Sequence, residues 1–275
     1  TSTEETGMDG ANGLKAGMLK GEILLNLDSE TEGELYVGCA GGIDSTIQFK
    51  YKEENVPADS KAYRIGVKGL KGGHSGLDIN LGRGNSNKLL FRFLKTYTKD
   101  LGLRMASISG GTLRNAIPRE SFAVVIPPAA NTARLEAALK EAEAIYKAEL
   151  GAKEPNLQLI AENTGMPAFV IGTCTQFRLI NSILACPNGA VRMIDSMPDT
   201  VETSNNLAIV QSENGKIFIK TLLRSSVETA KEALAQSIQA VFELADADEI
   251  SFDGAYPGWK PNPDSAILHE MQHVY

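Results

Sequence analysis

The sequence predicts a stretch of α/β structure followed by two tandem α+β units, each an antiparallel sheet with helices on one face. Apolar and polar residues alternate at residues 62–69, which is typical of a half-buried strand. Apolar residues at helical spacing within residues 85–101 indicate an amphipathic helix. A helix, strands, a second helix and a strand then occur twice in this order along the chain, which is the basis for predicting two similar units.

The residues before the first unit have the character of α/β structure. A short helix is predicted at residues 7–20 and a buried strand at residues 22–27, where the segment EILLNL is apolar. An acidic loop follows, and a second strand is predicted at residues 34–37. The small residues at 38–42 favour a bend, which we interpret as a crossing between domains.

The first α+β unit is predicted to contain a strand, a helix, two strands, a second helix and a last strand. Its second helix is amphipathic, rich in Ala, Glu and Lys, and is expected to end at Gly151. In chain order, the six elements are expected at residues 62–69, 85–101, 104–112, 120–126, 132–150 and 156–161.

The second α+β unit is predicted to contain a helix, three strands, a second helix and a strand. The pair Asn214–Gly215 predicts a tight turn between the last two of the three strands. In chain order, the six elements are expected at residues 176–185, 191–194, 203–211, 216–223, 227–245 and 249–252. A final helix is predicted at residues 264–275.

Composition excludes several classes of protein. The net charge is −7 and the Lys and Arg residues are scattered, which argues against a nucleic-acid partner. No apolar run approaches the roughly 18 residues of a membrane-spanning helix, so no membrane partner is expected. Three cysteines without a paired motif favour a reduced, cytoplasmic protein.

The chain begins at Thr1 without a Met and ends inside a predicted helix, so we expect an internal fragment of a longer enzyme.

Two of the three histidines form an HExxH motif at residues 269–273. On a helix, His269 and His273 would face the same side and could bind zinc, with Glu270 as a general base. A third ligand is needed, usually downstream, and the chain ends two residues later. The same residues are also typical of the solvent-exposed face of a helix, which weakens the zinc-protease interpretation.

Four further residues have both a structural and a functional interpretation. His74 lies among glycines, either in a surface turn or at a substrate cleft. Asp28 directly follows a predicted buried strand, where α/β enzymes place functional groups. Asn115 lies between a Gly pair and a Pro and could simply form a turn. Arg224 ends a strand, either as a surface charge or as a guanidinium that binds a substrate carboxylate.

Several segments together resemble the aminoacyl-histidine dipeptidases, which belong to a superfamily of di-zinc peptidases that includes carnosinases and aminoacylases. The similarity covers essentially the whole chain. It is carried by motifs such as EETGMDGANGL, GGHSGLDINLGRGNSNKL, GGTLRNAIPRE and YPGWKP. The similar segments are residues 4–14, 26–44, 69–89, 110–120, 185–193, 201–210 and 256–261.

The resemblance implies a zinc-dependent dipeptidase with two zinc ions in the complete enzyme. Glu4 matches the general base that deprotonates a zinc-bound water, and Glu5 matches a ligand of one zinc ion. Asp28 matches a ligand of the other zinc ion. Of five implied metal ligands, this chain contains only Glu5 and Asp28, so we expect the 275-residue chain alone to be inactive.

The resemblance also implies roles for residues that bind the substrate. His74 matches a histidine that helps to polarise the scissile carbonyl group. Asn115 and Arg224 match residues that hold the substrate, with Arg224 at its terminal carboxylate. The family's architecture places residues 1–41 and 255–275 in an α/β catalytic domain. Residues 42–254 then form an inserted α+β lid built of the two tandem units.

Three functions are compatible with the sequence. The first is a metallodipeptidase that hydrolyses Xaa-His dipeptides, with a small dipeptide as substrate and a possible homodimer. The second is an α+β binding or structural module without catalytic activity. The third is an HExxH-type zinc protease that uses His269 and His273. Metal content and dipeptide hydrolysis distinguish these possibilities.

Overall fold

The computed structural model describes residues 10, 13–26 and 33–274. The chain divides into two compact units, one formed by Thr1–Val37 with Asn262–Tyr275 and the other by Gly38–Pro261. The larger unit contains thirteen strands among its described residues. They are β1 (Gly41–Lys50), β2 (Glu53–Glu54), β3 (Tyr63–Lys68), β4 (Gly73–His74), β5 (Arg104–Gly110), β6 (Ala116–Ile117), β7 (Ser121–Ile126), β8 (Gln158–Asn163), β9 (Val170–Ile171), β10 (Gly189–Ile194), β11 (Met197–Glu213), β12 (Lys216–Ser225) and β13 (Glu249–Tyr256).

Four α-helices of the larger unit lie close to their predicted positions. They are α1 (Ser86–Leu101), α2 (Thr132–Leu150), α3 (Thr173–Ala185) and α4 (Glu228–Leu244). The side chain of Asn85 accepts a hydrogen bond from the Lys88 N–H and so caps the start of α1. Gly102 ends α1 in the left-handed conformation, with φ of 65°. None of the described helices is both long and apolar enough to cross a membrane.

Nine strands form one antiparallel sheet in the order β13-β1-β12-β11-β5-β7-β3-β8, with β10 paired to β11. The sheet has two halves. We call β3, α1, β5, β7, α2 and β8 the first half, and β1, α3, β11, β12, α4 and β13 the second half. In both halves, the fourth strand lies beside the first, followed by the third and the second. This is the βαββαβ arrangement of ferredoxin-like folds.

The two halves meet through equivalent strands. The second strand of each half, β5 and β11, pair antiparallel at Val210 with Gly110 and at Gln211 with Ser109. An unpaired edge strand exposes N–H and C=O groups that favour pairing with another strand. Pairing at these two positions satisfies part of both edges within one chain.

This arrangement differs from the predicted pair of separate, tandem sheets. The sheet is continuous, and the first half lies between β1 and α3 of the second half along the chain. The sequence interpretation missed β1, because the glycines at 41 and 42 were assigned to a bend. They are the first two residues of a ten-residue strand that pairs with β12 and β13. The prediction of antiparallel sheets with helices is otherwise confirmed.

The four helices pack on one face of the sheet, which we call the helix face. One apolar core contains residues from both halves, including Phe49, Phe91, Leu179 and Phe242. Because side chains alternate along a strand, the intervening residues lie on the opposite face, which we call the open face. Loops that connect β3 to α1 and β5 to β7 cover part of the open face of the second half, as their contacts below show.

The smaller unit contains α5 (Ala266–Val274) among its described residues, which confirms the final predicted helix. Residues 13–20 form turns rather than the predicted helix, and residues 22–26 and 34–37 form no strand. Leu24 is 84% exposed, so the expectation that this apolar segment is buried was wrong for the structure. A strand requires pairing of its backbone groups, and residues 22–26 and 34–37 belong to none of the sheets of the described structure.

Candidate active site

A two-stranded ribbon places His74 beside Asn115. In the β4–β6 pair, Gly73 lies opposite Ile117 and His74 lies opposite Ala116. The backbone N–H of Ser75 also donates to the carbonyl oxygen of Asn115 at 2.8 Å. The histidine that the resemblance assigns to catalysis and the asparagine that it assigns to substrate binding are therefore held next to each other.

Glycine and an ion pair shape the backbone around His74. Gly73 has φ of +146°, and a Cβ atom there would collide with Arg83 and Asp78. Arg83 donates to the carbonyl oxygen of Gly72 at 2.5 Å and lies 3.3 Å from an Asp78 carboxylate oxygen. The other carboxylate oxygen of Asp78 accepts the His74 backbone N–H at 2.8 Å. The turn that carries His74 is thus fixed on both sides.

The imidazole ring of His74 has a defined orientation. Its Nδ1 atom accepts backbone N–H groups from Gly76 and Leu77, each at 3.2 Å. We assign the proton of the neutral ring to Nε2 from these hydrogen bonds. Burial lowers the pKa of His74 and the charge of Arg224 lowers it further, whereas Asp78 opposes both. At neutral pH the ring can therefore present an uncharged Nε2–H donor.

Arg224 lies on the open face of the second half. Its strand, β12, is paired on both sides, so that Arg224 lies between Gly42 and Ser204. Its Nη1 atom donates to the hydroxyl oxygen of Tyr256 at 3.2 Å. Its Nε atom is buried and has no hydrogen-bond partner in the described part of the chain. A buried donor without a partner is unusual, and it is a point where a ligand oxygen would be stabilised.

His74 and Arg224 come together around Gly76. A Cβ atom on Gly76 would lie 3.2 Å from His74 Nδ1 and 3.6 Å from Arg224 Nε. The structure therefore brings His74, Asn115 and Arg224 to one place, although 150 residues separate the first and last of these in the sequence. This place contains one uncharged donor and one cation, which could contact a carbonyl group and a carboxylate.

Sequence reasoning missed the residues that attach the loop of Asn115 to the sheet. Arg114 donates to the Ser45 carbonyl at 3.0 Å and to the Thr46 hydroxyl at 2.8 Å. Asn206, which is 1% exposed, donates to the carbonyls of Arg114 and Ala116 at 3.0 and 2.8 Å. The segment GGTLRNAIPRE contains Arg114, but only spatial contacts reveal its role.

Asp44 completes the charged surroundings of this loop. It lies 3.6 Å from the Nε atom of Arg114. Burial raises the pKa of Asp44, while the charges of Arg114 and Arg224 oppose that shift. The carboxylate thus lies among the cations on the open face of the second half.

The predicted zinc ligands Glu5 and Asp28, and the predicted base Glu4, lie outside the described residues. His269 and His273 lie on α5. Within residues 10, 13–26 and 33–274, no three His, Cys, Asp or Glu side chains are grouped so that they could hold a metal ion. The described HExxH motif therefore has no third ligand of these types beside it.

The chain is similar to known peptidases. Residues 65–154 match the peptidase dimerisation domain. The whole chain is 41% identical to the cytosol non-specific dipeptidase of Escherichia coli strain K12 and covers 56% of that protein. The crystal structure of aminoacylhistidine dipeptidase from Vibrio alginolyticus matches 99% of this chain and 55% of that chain, with 45% identity and a TM-score of 0.95.

The chain is homologous to these two dipeptidases, which confirms the resemblance inferred from the sequence motifs. It spans about half the length of each. The matched dimerisation domain corresponds to most of the first half of the sheet and to the loops that carry His74 and Asn115.

Proposed function

We propose that this chain is the substrate-holding part of a zinc-dependent dipeptidase that hydrolyses Xaa-His dipeptides. Residues 42–254 would form the lid, and residues 1–41 and 255–275 would belong to the catalytic domain. Homology to two named dipeptidases supports the reaction class. The name of the Vibrio relative supports a dipeptide that ends in histidine.

One observation carries the proposal for the site: the imidazole ring of His74 and the Nε–H of Arg224, which has no hydrogen-bond partner among the described residues, both lie next to Gly76. A dipeptide has a scissile carbonyl group and a carboxylate separated by a single residue. His74 would donate to the carbonyl oxygen as negative charge develops there. Arg224 would bind the carboxylate with charge-assisted hydrogen bonds, and Asn115 would help to hold the substrate.

The remaining chemistry is assigned to residues outside the described part of the chain. Glu5 and Asp28 would each bind one zinc ion, together with ligands from the rest of the enzyme. Bound zinc lowers the pKa of a water molecule toward 7. Glu4 would accept the proton of that water as general base.

The relatives also support a proposal for the location and assembly of the complete enzyme. The word "cytosol" in the name of the Escherichia coli protein supports a cytoplasmic enzyme. The peptidase dimerisation domain supports a homodimer of the complete protein. Sedimentation of the complete enzyme would show a species of twice the monomer mass if this is correct, and a monomer at all concentrations would contradict it.

The function is tested by changing Arg224→Ala in the complete enzyme and comparing a free dipeptide with its C-terminal amide. A charge-assisted hydrogen bond contributes roughly 1.5–3 kcal/mol, so KM for the free acid should rise about 10- to 150-fold. Arg224→Lys should restore only part of this loss, because an ammonium group lacks the planar fork of a guanidinium. If wild type and Arg224→Ala discriminate equally between acid and amide, Arg224 does not bind the carboxylate.

A further inference from the structure

Tyr256 limits which edge of the Arg224 guanidinium is available. The hydroxyl oxygen of Tyr256 accepts the hydrogen bond from Nη1 at 3.2 Å. The Nε–H is buried and without a partner in the described part of the chain. Nε and Nη2 share one edge of the planar group, on the side away from Nη1. The edge left for a ligand is therefore the one formed by Nε–H and Nη2–H.

That edge has the geometry for a carboxylate. Two parallel N–H groups of a guanidinium can donate to the two oxygens of one carboxylate group. Binding through Nε and Nη2 would satisfy the buried Nε–H, which binding through Nη1 and Nη2 would leave unpaired. A buried donor that stays unpaired in the complex weakens binding. A carboxylate is therefore expected to approach from the side of Nε.

Three features fix Tyr256 in position. Its backbone pairs with Gly42 across the β1–β13 ladder. Its carbonyl oxygen accepts a hydrogen bond at 2.6 Å from the ammonium group of Lys231, which is only 2% exposed. Its ring lies against Gly42, where a Cβ atom would come within 2.6 Å of the hydroxyl oxygen. Glycine at position 42 thus leaves the space that the ring of Tyr256 occupies.

We propose that Tyr256 is a positioning residue that orients Arg224, so that its Nε/Nη2 edge binds the terminal carboxylate of the dipeptide. This inference rests on the proposed function, because it assumes that Arg224 binds this carboxylate. Tyr256 itself need not touch the substrate. Its hydroxyl holds Nη1 and thereby prevents rotation of the guanidinium out of the binding orientation.

The test is Tyr256→Phe in the complete enzyme, assayed with a free dipeptide and with its C-terminal amide. The change removes the hydroxyl and retains the ring. One hydrogen bond of about 0.5–1.5 kcal/mol corresponds to a rise in KM of about 2- to 12-fold for the free acid. The values of kcat and of KM for the amide should stay close to those of wild type, because neither depends on the carboxylate contact.

A matched control is Tyr97→Phe, which removes a hydroxyl that donates to Glu141 at 3.1 Å between α1 and α2. It should leave the preference for the free acid unchanged.

A second pair of variants places a methyl group against an aromatic ring. Gly42→Ala contacts the ring of Tyr256 and should reduce the preference, whereas Gly66→Ala contacts the ring of Phe122 in the first half and should not.

The outcomes separate the inference from the proposed function. If Arg224→Ala loses the preference for the free acid and Tyr256→Phe keeps it fully, Tyr256 does not position Arg224 and the proposed function stands. If Arg224→Ala keeps the preference, the proposed function fails and this inference fails with it. If Tyr256→Phe raises KM equally for acid and amide, its role is general to the fold, and the positioning role is contradicted.

Discussion

The two halves of the sheet share a strand order but differ in what lies on their open faces. In the first half, the guanidinium of Arg64 lies 3.6 Å from the centre of the Phe122 ring and pairs with Glu162 at 3.2 Å. Ser107 and Ser109 line the same shallow cleft. In the second half, the corresponding face is covered by loops, and Arg224 has a buried Nε–H without a partner in the described residues.

This difference shows that the architecture alone does not create the site. The arginine of the first half is satisfied by an aromatic ring and a carboxylate within its own half. The arginine of the second half is held by Tyr256, and its Nε–H has no hydrogen-bond partner among the described residues. The loops with His74 and Asn115 belong to the first half in sequence, yet Asn206 of β11 binds the second of them. The candidate site is therefore built from both halves.

The largest expected effect is a loss of activity on removal of the His74 imidazole, which lies at the open face of the second half. His74→Ala in the complete enzyme should lower kcat by about 10²- to 10⁴-fold, if the ring stabilises the charge that develops on the carbonyl oxygen. The thermal midpoint should fall only modestly, because the side chain of His74 is exposed and its removal costs two hydrogen bonds from Gly76 and Leu77. Arg64→Ala, on the open face of the first half, is the comparison variant and should retain activity. Equal losses in the two variants would show that the halves do not differ in function.

The next largest effect is expected on stability, when the amide that attaches the Asn115 loop to β11 is removed. Asn206→Leu would leave the partly buried carbonyls of Arg114 and Ala116 without the amide donor of Asn206. The free energy of unfolding should fall by about 1–3 kcal/mol, as expected for buried groups that lose a partner. Activity should fall as well, because Ala116 pairs with His74. Denaturant unfolding with parallel kinetics measures both. Unchanged stability would mean that the loop does not depend on this amide.

The smallest expected effect is a shift in the pKa of His74 when a neighbouring charge is removed. Arg224→Gln removes a positive charge that lowers the pKa of His74, so this pKa should rise. Asp78→Asn removes the opposing negative charge, so the pKa should fall. The signal of the His74 ring proton in NMR spectra recorded against pH measures both shifts. Shifts of the opposite sign would contradict the proximity of Arg224 to this ring.

The sign of the pH dependence follows from the same contacts. Protonation of Nδ1 would break its two hydrogen bonds from Gly76 and Leu77. Because the pKa in the folded protein is below that of a free histidine, the folded state binds this proton less readily. Its contribution to stability is therefore complete above the unfolded pKa and is lost as pH falls through that value toward the folded one.

Local signals predicted the helices of the larger unit well and the strand partners poorly. Apolar periodicity identified α1, and Gly151 identified the end of α2. The glycines at 41 and 42 were interpreted as a bend, although they begin β1. At Gly42 the space beside the chain is filled by the Tyr256 ring, which no local pattern could indicate.

The candidate site was predictable only residue by residue. The resemblance selected His74, Asn115 and Arg224, and the structure brings them together. Periodicity could not do so, because their proximity depends on loops of the first half that contact the second half. Arg114 and Asn206 were missed because each acts through a hydrogen bond to a carbonyl group that is distant in the sequence. Arg114 donates to the carbonyl of Ser45, and Asn206 donates to the carbonyl of Arg114.

The central claim is that the dipeptide carboxylate binds to the Nε/Nη2 edge of Arg224 on the open face of the second half. A crystal structure of the complete Glu4→Gln enzyme with an Xaa-His dipeptide tests it most directly, since loss of the proposed base should slow turnover. We expect the carboxylate oxygens within hydrogen-bond distance of Nε and Nη2, and the scissile carbonyl oxygen close to His74 Nε2. A dipeptide bound with its carboxylate elsewhere, or against Arg64 in the first half, would contradict the account.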